Sequence, residues 1–168
     1  MTRAISTGAS LDVTTMIDLV IEDEKWTRAI PEMDALAQAC QKAAIDMERD
    51  LDGEIALLAT DDEALRALNE RFRGKNRPTN VLSFPSEGRP GFLGDIALAR
   101  ETCVREATEK GVSLRDHAAH LIVHGMLHLI GYDHHETVEA AAMERREAEI
   151  LASLGISDPY EDAAEAVT

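Results

Sequence analysis

The chain has 168 residues, of which 45% are hydrophobic and only 4% aromatic, and it carries a formal net charge of −15. That length suffices to bury one core, here an aliphatic one built from Leu, Ile, Val and Ala. No apolar run approaches the roughly 20 residues of a membrane span, and so acidic a chain is poorly suited to broad, nonspecific binding of nucleic acid, which sums Lys and Arg contacts to phosphate.

The N-terminus through Asp12 is polar and lacks the apolar stretch of a secretory signal, so residues 1–15 are expected to form a disordered extension. Residues 16–22 are β-rich and give a first strand. Pro31 suits the first position of a helix, along which Met33, Leu36, Ala37, Cys40, Ala44 and Met47 recur at helical spacing to about Arg49. Asp52 and Gly53 turn the chain into a second strand over 54–59. Thr60 or Asp61 caps the next helix, whose apolar stripe is Leu65, Leu68 and Phe72. A loop over 74–78 leads to a third strand over 81–84, ended by Pro85. A mobile Gly/Pro-rich connection follows, then a fourth strand over 93–99 with Gly94 and Asp95 at its start.

A short helix over 100–110 is broken by Gly111. Ser113 then caps a long helix over 114–130, with Asp116 as the acidic partner of a capping box. Residues 136–154 form a last helix with Met143, Ile150, Leu151 and Leu154 as candidates for burial. Gly155 ends it, residues 156–160 pack back, and 161–168 are a frayed tail. The order is βαβα, two strands, then helices. This predicts an α+β fold with a single small mixed sheet of about four strands covered by helices, residues 16–160 forming one domain. Cys40 and Cys103 show no pairing logic; they are read as buried apolar residues in a reduced, cytoplasmic protein.

The most informative segment is His124-Gly125-Met126-Leu127-His128-Leu129-Ile130-Gly131-Tyr132-Asp133-His134. On a helix advancing about 100° and 1.5 Å per residue, His124 and His128 share a face roughly 6 Å apart along the axis. Gly131 can adopt the left-handed conformation that ends a helix, and the returning chain can bring His134 to the same point. Three neutral imidazoles leave the fourth position of a tetrahedral Zn²⁺ open for water, the arrangement of a catalytic site. One Zn²⁺ per chain is therefore expected on His124, His128 and His134.

The same spacing occurs in metzincin proteases, but those have Glu directly after the first His as the general base. Here that position is Gly125, and peptide hydrolysis by that route loses its base. His120 is read as a buried histidine satisfied by backbone, with a place behind the metal ligands as the alternative. His117 and His135 are read as non-ligands.

Between Arg71 and Pro85 lie Arg71, Arg73, Lys75 and Arg77 with no acidic residue. A charge cluster in a loop is commonly just solvated surface. In this chain, a positive island close to a metal suits an anionic substrate. Arg73, Lys75 and Arg77 are the candidate substrate-binding residues.

Two long motifs in order carry a resemblance. They are Leu68-Asn69, Phe72-Arg73-Gly74-Lys75 and Pro78-Thr79-Asn80-Val81-Leu82-Ser83-Phe84-Pro85, followed by Leu93-Gly94-Asp95-Ile96 and the histidine segment. With the later Leu154-Gly155-Ile156 and Pro159-Tyr160, they make the chain from about residue 16 to 160 resemble the YbeY family. These are bacterial single-domain, metal-dependent endoribonucleases tied to ribosomal RNA maturation. The resemblance implies zinc ligands at His124, His128 and His134 and a catalytic arginine at Arg73. The family often has Asp where this chain has Asn76.

It further implies a zinc-dependent single-strand endoribonuclease acting in maturation of the 3′ end of small-subunit (16S) ribosomal RNA and in ribosome quality control. Its partners would be single-stranded ribosomal RNA, the small ribosomal subunit and its assembly factors, in the cytoplasm and with no membrane. The competing readings are a noncatalytic ribosome-assembly factor with structural zinc, and a metallohydrolase of another substrate class. The general base is unassigned. Asp133, beside a ligand, would orient an imidazole or stabilise the turn, and Asp95 is a further candidate.

Overall fold

The computed structural model describes residues 16–77 and 79–161. The expected N-terminal extension, and all of the expected frayed tail after Glu161, lie outside the described residues.

Four strands form one sheet in the order β1-β2-β4-β3. They are β1 (Met16–Ile21), β2 (Glu54–Thr60), β3 (Val81–Pro85) and β4 (Phe92–Ala99). β1, β2 and β4 run parallel, and β3 pairs antiparallel to β4. Among the described residues six α-helices pack with the sheet: α1 (Lys25–Ala29), α2 (Met33–Met47), α3 (Asp62–Arg73), α4 (Arg100–Lys110), α5 (Leu114–Leu129) and α6 (Thr137–Ser153). The architecture is the α+β fold with one small mixed sheet that the sequence predicts.

Alternation along the strands assigns the two faces. Ile17, Ile55, Leu57, Ile96 and Leu98 point to the main core, where they meet Leu36 and Cys40 of α2, Ile122 and Met126 of α5, and Ile150 of α6. Leu82, Ala97 and Ala99 point the other way, onto Leu65 of α3. That second face is covered in part only. Val20 is 52% exposed and Phe72 58%.

Phe72 thus departs from the buried stripe expected of α3. The helix docks through Leu65 and Leu68, and one turn later Phe72 meets the ring of Phe84 at 5.4 Å and faces solvent. Leu154 is half-buried, whereas Met143, Ile150 and Leu151 are buried as expected.

Pro31 is not helical. Ile30 N–H donates to the Trp26 carbonyl to close the five-residue α1, and a turn through Pro31 precedes α2 at Met33. The sequence reading contains no α1, because so short a helix shows no periodicity. Trp26 nevertheless anchors it, fully buried, with its Nε1–H donating to the Thr60 carbonyl at 2.8 Å.

Candidate metal centre

α5 starts where Ser113 Oγ accepts the Asp116 N–H at 3.0 Å. It is buried on nearly every side, packed between the sheet and α2, α4 and α6. Gly125 permits that approach. A Cβ there would sit 3.0 Å from Ile96 Cγ2 and 3.1 Å from Ser83 Oγ. A metzincin-type glutamate at 125 would thus project into the sheet contact, so the position excludes that base sterically as well as chemically.

At its C-terminus Gly131 N–H bonds the His128 carbonyl and Tyr132 N–H the Leu127 carbonyl, with Gly131 at φ 107. This paired closure ends the helix and reverses the chain. The turn is pinned by Tyr132 Oη–H donating to Glu48 Oε2 at 2.6 Å, where Arg146 also binds.

The reversal brings His134 back to the helix. Its ring centroid lies 5.7 Å from that of His124 and 5.0 Å from that of His128, and the three side chains offer nitrogens within 4.8 Å of one another. The tautomers follow from the partners. His124 Nδ1 lies 2.6 Å from Glu147 Oε2 and His128 Nδ1 lies 2.8 Å from the Tyr132 carbonyl, both pure acceptors, so each Nδ1 donates. In the neutral rings both Nε2 atoms are then bare lone pairs, yet they face each other at 3.1 Å. Protonating His128 is no escape, since burial and then the neighbouring His124 lower its pKa. A divalent cation between the two nitrogens satisfies both. The donor set of three imidazoles fits such an ion, with His134 exposed on the open side.

Glu147 of α6 is fully buried. Besides His124 it accepts from His120 Nε2 at 3.0 Å and from the Tyr160 hydroxyl. Burial pushes its carboxyl up, but the hydrogen bonds from His120 and His124 outweigh that and hold it at about 2. His120 is therefore held through Nε2 by side chains and not by backbone, its Nδ1 meeting no partner among the described residues, and it sits directly behind His124.

His117 bonds Glu106 at 2.8 Å, and His135 is exposed near Asp133; neither joins the cluster. Asp133 Oδ1 accepts the His134 N–H at 2.7 Å and so stabilises the turn. Asp95 lies inside β4, away from the histidine cleft. Sequence reasoning missed Glu147 and Tyr160. The signal for Glu147 was its place one turn from Met143 and Ile150 on the buried stripe of α6.

The imidazoles open on a cleft of about 770 Å³ that Arg73, Lys75 and Arg77 also line. Arg73 is the last residue of α3, not part of the following loop, and its Nη2–H donates to the Ser83 carbonyl at 2.9 Å. Asn69 Nδ2–H holds the Arg77 carbonyl at 3.0 Å, shaping the cationic loop. Asn76 is not among the lining residues.

Fold and cleft together define a small α+β protein with a three-histidine cluster able to hold a metal ion beside a cationic wall. The chain belongs to the YbeY family: the family model described as Endoribonuclease YbeY matches residues 20–155. Among similar proteins is the "Endoribonuclease YbeY" of Sphingopyxis alaskensis, 57% identical over 121 residues that span 65% of this chain and 72% of that protein. The protein of the same name from Rhodospirillum rubrum is 47% identical over 82% of this chain and 78% of its own length. The solution structure of TM1509 from Thermotoga maritima shares the fold, with a TM-score of 0.53 and 21% identity over 88% of this chain and 97% of that one.

Proposed function

We propose that this chain is a zinc-dependent endoribonuclease that cuts single-stranded RNA in the maturation of the 3′ end of small-subunit ribosomal RNA and in ribosome quality control. It would act in the cytoplasm, on the small subunit with its assembly factors. The observation that carries the reading is the pair of Nε2 atoms facing each other at 3.1 Å in the same cleft as Arg73, while each ring's Nδ1 is taken by an acceptor. Relatives named endoribonucleases support the substrate class.

His124, His128 and His134 would hold the ion. When bound, zinc polarises a phosphoryl oxygen and lowers the pKa of a water to about 7. Glu147 and the Tyr132 carbonyl keep two of the imidazoles turned with Nε2 toward the cleft. Arg73, steadied by the Ser83 carbonyl, presents its remaining N–H groups to the phosphate and stabilises charge developing on its oxygens. Lys75 and Arg77 bind the flanking backbone.

His128→Ala should abolish bound zinc and cleavage together. Arg73→Glu should keep zinc and lower cleavage of single-stranded RNA by about 100-fold or more. Element-resolved metal analysis paired with a cleavage assay checks both, and equal metal and equal cleavage in the two variants would refute the assignment. A noncatalytic factor with structural zinc is the alternative. It predicts that metal-stripped protein loses its cooperative melt, whereas the enzyme reading predicts a retained melt and lost cleavage, since the main core is assembled around Trp26 from apolar side chains and includes none of the three histidines.

A further inference from the structure

Two of the three phenylalanines of this aromatic-poor chain stand together at one place on its surface. Phe72 and Phe84 border a groove of about 680 Å³ on the half of the sheet that α3 leaves open, with Val20, Ala56, Leu58 and Leu68. Apolar surface of this kind, left uncovered beside a candidate active site, is a mark of binding.

Two arginines frame it. The Arg71 guanidinium carbon lies 5.1 Å from the Phe72 ring centre and that of Arg73 lies 5.5 Å from the Phe84 ring centre. Arg73 also lines the histidine cleft, and Pro85 lines both cleft and groove, so the two adjoin at the end of β3.

We propose that this groove is a stacking platform for unpaired bases of the RNA strand whose phosphate lies in the cleft. The proposal rests on the endoribonuclease reading above and adds where the strand goes and why it must be single. Phe72 and Phe84 supply the faces on which bases stack, and Arg71 and Arg73 hold the backbone at the rim. Charge fixes that orientation. Glu87 and Asp95 border the groove; carboxylates repel phosphates but accept hydrogen bonds from exocyclic amino groups. Bases therefore enter and backbone stays on the arginine side. In a duplex each base already stacks on its neighbours and offers no free face, so the platform selects unpaired RNA.

The test uses the full chain stripped of metal, so that binding is read without cleavage. The probes are a short oligoribonucleotide carrying 2-aminopurine, an abasic oligomer of the same length, and a duplex. Wild-type protein should quench 2-aminopurine in the single strand and bind the duplex more weakly. Phe72→Ala should weaken single-strand binding by about 10-fold or more and leave the abasic oligomer unaffected, and Phe72→Trp should restore binding. Phe72 is exposed, so its loss does not endanger the fold.

Unchanged affinity in Phe72→Ala, equal loss with the abasic oligomer, or RNA bound without quenching, as when the groove serves a protein partner, would overturn the platform alone. Failure of the wild-type chain to bind any RNA would overturn the endoribonuclease reading, and the platform with it.

Discussion

Glu147 orients one of the three imidazoles able to hold a metal ion while standing outside the cluster itself. Its carboxylate is sealed from solvent, accepts from His124, His120 and Tyr160, and stays ionised because those donors outweigh the cost of burial. Such a partner fixes the tautomer of a ligating histidine and raises its basicity. Glu147→Gln keeps shape and can still accept one bond, but removes the charge. Zinc affinity, measured by competition with a chelator, should fall about 10–100-fold, while the far-ultraviolet circular dichroism stays that of the parent. Unaltered affinity would strip Glu147 of this role. Its sequence surroundings, Glu144 to Glu149, are so charged that they suggest a solvated helix face. Its spacing from Met143 and Ile150 marks the buried stripe, but its role emerges only where α6 closes over α5 and presents that position to two of its histidines.

At the level of elements, the turn after α5 matters most. Gly131, at φ 107, lets the helix close on Leu127 and His128 and sends His134 back toward the ring pair. Forcing a Cβ into that backbone costs about 1–3 kcal/mol. Gly131→Ala should lower the melting temperature by several degrees and weaken zinc binding, as read by thermal denaturation with and without metal. A variant with both unchanged would show that the turn does not depend on glycine.

This turn was legible in the sequence because a glycine after an apolar helix has one common use. The limits of α4 and the cap of α5 at Ser113 were legible for the same reason, since local chemistry decides them. The order β1-β2-β4-β3 and the antiparallel run of β3 were not, because they are settled by pairing between distant segments. α1 escaped as too short to show a period, and the exposure of Phe72 depends on how far α3 lies along the sheet. The histidines and cationic residues of the cleft could be named from spacing and local charge; Glu147 and Tyr160 reach the site only through tertiary packing.

For the whole molecule, burial and pairing set a direction for stability against pH. His117 and His128 lie below their ordinary value of 6.5, chiefly through burial. At Glu147, and likewise at Asp23 and Glu106, burial works against ionisation, but hydrogen bonds from His120, Arg100 and Asn80 respectively, with their neighbours, win and depress the pKa. In each case the unfolded chain binds protons more readily than the folded one. Their stabilisation is complete above the ordinary values and drains away as pH falls through the folded ones. Metal-free protein should therefore lose unfolding free energy below 6.5 through the two histidines, and more steeply below 4.5, where the unfolded chain protonates a carboxyl that folded Glu147 keeps ionised down to about 2. Denaturant titrations at about pH 7.5, 5.5 and 4 read this directly, and a rise in stability toward acid would contradict it.

The account as a whole turns on three imidazoles meeting at one divalent ion with a free position toward Arg73. X-ray absorption on the zinc-loaded protein tests this most directly. The predicted spectrum has three imidazole nitrogens at about 2.0–2.1 Å, one oxygen completing the sphere, and one imidazole fewer in His134→Ala. A sulfur scatterer, or a wild-type sphere with fewer than three imidazoles, would contradict it.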